Sequence, residues 1–285
     1  MKRLFVGLAA LAIAGVASAG GPGAVRKRVE ASMILTGSVT VAPDGSVASY
    51  EIDKKDKVPA DVLGLVQNTA AAWRFEPVLR DGHAVNARAP MSLRIVARRE
   101  GADSSDFVAR VAGATFGDEH KDGEQISYAE RKAPGYPMAA VTDRVEGVVI
   151  LLMKVGHDGK VVDVSAEQVN LGVVGSDPDM RVWRKALAGP SVLAARDWTF
   201  HIPSSGPHAN DPFYIVRAPV MFRLNRNGAA ADTYGQWTAY VPGPKETADW
   251  VKEDRKDSGS TDALPDGQLS LVGSGLKLLT PVSSS

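Results

Sequence analysis

The chain has 285 residues, 44% hydrophobic and 23% charged, with no cysteine. Such a composition belongs to globular proteins, and the missing thiol excludes cysteine nucleophiles, Cys-ligated zinc, iron–sulfur clusters and a lipidated N-terminal cysteine. Lys plus Arg equals Asp plus Glu at 33 each, so no overall field draws the protein to nucleic acid or to an anionic membrane.

Lys2 and Arg3 precede an apolar run from Leu4 to Val16 and then Ala17-Ser18-Ala19, the pattern of a secretory signal peptide over residues 1–19 with cleavage before Gly20. A retained anchor is the alternative. Its apolar run, taken through Ala19 as about 16 residues, would reach about 24 Å as a helix, against a hydrocarbon core of about 30 Å, and Gly20-Gly21-Pro22-Gly23 breaks any continuation. Both readings put the rest of the chain outside the cytoplasm.

Beyond this segment the chain repeats itself. Val41-Ala42-Pro43-Asp44-Gly45 matches Val155-Gly156-His157-Asp158-Gly159, Trp73-Arg74-Phe75 matches Trp198-Thr199-Phe200, and Arg88-Ala89-Pro90 matches Arg217-Ala218-Pro219, in the same order. In the first copy, over 26–98, residues 33–41 and 46–52 are predicted strands joined at an Asp-Gly turn. Pro59 suits the first position of a helix whose stripe is Val62, Val66, Ala70 and Trp73, and 88–97 returns as a third strand. Residues 99–125 are charged and Gly-rich and are predicted to be a linker.

The second copy, over 126–225, places a hairpin at 148–155 and 160–166. A helix is expected with Asp177-Pro178 as cap and first residue, running through Trp183 and Leu187 towards the breaker Gly189-Pro190, and Phe213 to Leu224 closes the unit. Pro90 and Pro219 argue that both closing strands lie at a sheet edge or carry a bulge. Residues 226–285 read as a mostly irregular tail whose Tyr234, Trp237, Tyr240 and Trp250 either fold back on the domains or form a docking segment. The fold class expected is α+β, two tandem small domains, each a three-stranded antiparallel sheet packed by one or two helices.

No catalytic, metal or cofactor-binding residue is assigned. His83, His120, His157, His201 and His208 show no ligand spacing, and no nucleophile elbow, phosphate loop or dinucleotide fingerprint occurs. Asp177 and Asp179 read as a helix start. Trp73 and Trp198 read as core anchors, whereas Arg88, Arg94, Arg217 and Arg223 read as a charged edge that deters aggregation or as a guide for an acidic peptide.

The second copy opens with Ala133-Pro134-Gly135-Tyr136-Pro137, then Ala139 and Ala140, then Glu146-Gly147 ahead of the hairpin. With the Asp-Gly turn, the helix, the Trp-x-Phe segment and the closing strand, this resembles the C-terminal domain of TonB, the periplasmic energy transducer of Gram-negative bacteria. The first copy lacks Tyr-Pro but carries Trp73-Arg74-Phe75-Glu76-Pro77; in the second, Pro203 is displaced. The resemblance implies a periplasmic protein whose closing strand pairs with an extended peptide of an outer-membrane transporter or another envelope protein. Implied partner-binding positions are Tyr136, Pro137, Tyr214, Val216, Val220, Phe222 and Leu224, and proline at Val220 and Phe222 is expected to block pairing. No nucleic acid, small-molecule substrate or cofactor is expected. The N-terminal segment lacks the family's histidine and Pro-rich spacer, which leaves two alternatives, an anchored transducer working with an inner-membrane energising complex, or an envelope assembly factor on the same fold.

Overall fold

The computed structural model describes residues 29–100, 106–117, 123–224, 232–251 and 260–283. The expected signal segment 1–19 lies outside the described residues. Among those described, no helix is long and apolar enough to cross a membrane. The architecture is mixed α/β, dominated by antiparallel sheets with few helices.

Strand β1 (Glu30–Val41) turns at Asp44-Gly45 into β2 (Val47–Ile52), followed by helix α1 (Ala60–Ala72), a short hairpin of β3 (Leu79–Arg80) and β4 (His83–Ala84), and the long strand β5 (Ala87–Arg99). Val62, Val66 and Ala70 of α1 face the sheet and are buried, with Pro59 as the N-cap rather than the first helical residue. They pack with Leu35, Val39, Leu93 and Ile95 around Trp73 and Phe75.

The second half follows the same plan. After β6 (Phe107–Phe116) and β7 (Ser127–Glu130) come α2 (Met138–Thr142), β8 (Gly147–Gly156), β9 (Val161–Leu171), α3 (Asp177–Ala195), β10 (Thr199–His201) and β11 (Phe213–Phe222). Ser176, not Asp177, caps α3, in a reciprocal box with Asp179. Helix α3 also runs through Pro190 instead of stopping there. A mid-helix proline costs about 3 kcal/mol, and Leu187 and Ala195, both fully buried on either side of it, offset that by anchoring the helix to the sheet.

The two copies agree down to single hydrogen bonds. Phe75 N–H donates to Gly45 O at 2.8 Å, and Phe200 N–H donates to Gly159 O at 2.8 Å. Both glycines have positive φ, 81° and 77°, and a Cβ on either would stand 2.2 Å from the carbonyl oxygen of that same phenylalanine. Each Asp-Gly turn is therefore clamped onto its Trp-x-Phe segment, which in turn buries Trp73 and Trp198 to 1% exposure.

Two expectations fail on tertiary pairing. The stretch 99–125 is not simply a linker, because β6 within it pairs with β5 from Met91–Phe116 to Arg99–Phe107. The first closing strand is consequently interior, with β1 on one side and β6 on the other. Pro90 is tolerated because β6 has ended beside it, and only its carbonyl is used, by Gly117 N–H.

The C-terminal region is largely irregular yet built into both halves. Strand β12 (Thr238–Tyr240) extends β1, Val241 then bridges Leu171 of β9, and Glu246 N–H donates to Glu167 O. Strand β13 (Ser270–Leu271) joins β11, and Leu278 returns to bridge Phe75 while Trp73 Nε1 donates to Val282 O. Tyr234 and Trp237 pack on the first core and Trp250 on a small cluster with Leu152, Ile215 and Val272. Of the two readings of this region, the structure takes the folded-back one.

Candidate docking edge

Residues 214, 216, 218, 220 and 222 of β11 face the α2–α3 side of the sheet and form its core. Tyr214, Val216, Val220 and Phe222 are accordingly buried, Tyr214 holding His208 O through its hydroxyl at 2.9 Å. Their side chains are closed to a partner, because the alternation that makes β11 a strand points them inward. Leu224 is half-buried, with its N–H donating to Glu146 Oε1.

Tyr136 packs edge-on against Phe222, ring centroids 5.2 Å apart, and donates to Val145 O at 2.7 Å. Burial pushes its phenol up to about 12. Pro137 is the N-cap of α2, so the Tyr-Pro pair fastens the opening of the second unit to its closing strand.

The main chain is what β11 exposes. Val272 N–H donates to Ile215 O at 2.8 Å, and the β8–β11 register runs without a bulge on β11. Ile215, Arg217, Pro219 and Met221 therefore turn their backbone groups outward, while the even-numbered residues bond to β8. Pro219 lacks an N–H on the outward side, where β8 loses nothing. Strand β13 covers Val216 and Arg217, and among the described residues the outer edge from Ala218 to Phe222 has no strand partner.

The other sheet edges are covered only in part. Residues 241–246 close the outer side of β9 from Glu167 to Leu171, and among the described residues its Val161–Ala166 stretch and the outer side of β2 have no strand partner. The outer edge of β6 from Phe107 to Val111 lies open among the described residues, but Arg98, Arg99 and Arg110 surround it, and edge charges of this kind discourage strand addition.

Neither sequence reading of the strand arginines holds for two of them. Arg217 is 3% exposed and its Nε donates to Glu167 Oε2 at 2.6 Å, with Lys245 3.3 Å from Oε1 of the same carboxylate. Glu167 follows Ala166 of the core face, so strand alternation puts it on the Arg217 side, at a bulge of β9. Arg94, 5% exposed, donates twice to Asp262 O and lies 3.3 Å from Asp262 Oδ2, which also accepts from Asn170 and Tyr240. Burial, and after it the Asp262 carboxylate, push the Tyr240 phenol up. Arg88 is an exposed charge 3.4 Å from Glu51, and Arg223 is half-buried.

A depression of about 660 Å³ lies beside the second Asp-Gly turn, lined by His157, Asp158, His201, Gln125, Ser127 and Ser204. His157 Nδ1 is 3.2 Å from Asp211 O, so the ring serves the turn. Among the described residues no group of His, Asp and Glu side chains could hold a metal ion. Comparison with family models, curated proteins and solved structures finds no match to this chain.

Proposed function

We propose that this chain is an exported interaction protein of the cell envelope, made of two tandem TonB-C-like domains, that docks an extended peptide along the outer edge of β11. The partner class is a peptide of an outer-membrane TonB-dependent transporter, and the role lies in or beside energy-coupled transport. Strand addition needs no catalytic residue; main-chain hydrogen bonds supply the affinity.

The observation that carries this reading is the edge at Ala218–Phe222, which among the described residues has no strand partner. The first copy supports it, because Met91–Leu93, the equivalents of Val220–Phe222, pair on that side with Ala114–Phe116 of β6. The test is capture from solubilised envelope by the parent and by a Met221→Pro variant. The Met221 amide points outward, so its removal blocks strand addition and spares the β8 ladder. Transporters recovered by the parent and lost by the folded variant are the expected result. Recovery indifferent to the proline would overturn the reading.

A further inference from the structure

We propose that Ser270–Val272 is a displaceable strap that occupies the docking edge in place of the partner, and that the partner segment it mimics carries two adjacent aliphatic residues. This rests on the docking reading above. With the strap closed, the outer edge of β11 offers a peptide only the carbonyl of Pro219 and the two backbone groups of Met221. Each such bond is a modest net gain, so this short edge holds a peptide poorly. Release of the strap adds the N–H and C=O groups of both Ile215 and Arg217, more than doubling what the edge can bond.

The strap is built to open. It pairs over two positions, Leu271 with Val216 and Ser270 with Arg217, and adds the bond from Val272 N–H to Ile215 O. Gly267 and Gly273 flank it with φ of 81° and 89°, and a Cβ at Gly273 would meet nothing within 4 Å. Both flanks are fixed elsewhere, upstream where Asp262 meets Arg94 and downstream where Leu278 pairs with Phe75. The released strap thus remains a tethered loop at high local concentration and recloses when the partner leaves. Its side chains state the specificity. Val272 packs with Leu152 and Ile215, while Leu271 faces the opposite core.

The probe is a labelled synthetic peptide of the strap's own sequence, Gln268 to Ser274. In Val272→Pro the amide bond to Ile215 is lost; in Val216→Cys with Leu271→Cys, a directly opposed pair at about 4.5 Å between Cα atoms, a disulfide locks the strap in a chain with no other cysteine. The peptide is expected to bind Val272→Pro at least tenfold more tightly than the oxidised double variant. Equal binding to the two overturns the strap. In the unaltered protein the Val272 amide is expected to exchange hydrogen at least tenfold faster than the Val220 amide, and equal protection would also overturn it. Envelope capture separates the two readings. Capture that is lost in Met221→Pro yet equal in the oxidised and reduced double variant rejects the strap alone; peptide binding that follows the strap while capture ignores Met221→Pro rejects the docking partner alone and keeps the strap.

Discussion

Gly45 and Gly159 each combine a left-handed backbone with the carbonyl of a clamped phenylalanine 2.2 Å from where a side chain would start. Gly159→Ala is expected to destabilise by more than about 1 kcal/mol, read as a lower urea midpoint at unchanged slope. Trp198→Ala, which empties a fully buried site, should cost about 3–5 kcal/mol by the same measurement. Tyr128 and Tyr136 both have phenols raised from 10.0 to about 12, mainly by burial. Because the folded state holds these protons more tightly than the unfolded chain, their contribution is complete below pH 10.0 and is lost as pH rises towards about 12. Phenolate absorbance in the native protein should accordingly lag behind that in urea, and coincident curves would contradict the burial. The turn glycines and tryptophans are visible in the sequence because their constraint is local. Arg94 and Arg217 are not, since their partners lie 168 and 50 residues away.

At the level of elements, the alternation along β11 decides which substitutions probe docking and which break the domain. Proline at Val220 or Phe222 removes an amide that faces β8, so these changes attack the internal ladder and not the free edge. Val220→Pro is therefore expected to lower the melting temperature sharply, while Met221→Pro leaves it within a few degrees. Scanning calorimetry of the two variants checks this, and the reverse ranking would mean that the outward assignment of the odd residues is wrong. The sequence carries the strand and its proline but not its neighbours. Pro90 and Pro219 suit equally a true edge and a strand whose neighbour stops short, and the second case holds at Pro90 because β6 arrives from a segment with a linker's composition.

Across the whole molecule, the C-terminal region binds the two halves together. It threads from β12 on the first sheet to β9 on the second, through the buried Thr261–Leu264 segment, to β13 and back to Trp73. Truncation after Leu224 removes partners of both cores, and loss of cooperative unfolding is the expected outcome in calorimetry. Asp262→Ala leaves Arg94 buried without its carboxylate and should cost about 3–5 kcal/mol, whereas the double change Arg94→Met with Asp262→Leu should cost less than the single one in denaturant titration.

By itself the sequence determined the repeat, both Asp-Gly hairpins, both tryptophan anchors and the order of hairpin, helix and closing strand within each copy. Each of these is written in residues close along the chain, where turn geometry and helical or strand periodicity act. Tertiary structure alone decided that one closing strand is interior and the other half-covered, that two strand arginines are buried in ion pairs, and that the tail is structural. Those outcomes depend on which distant segment reaches an unpaired edge or a buried charge first and satisfies it, and local pattern holds no record of that competition.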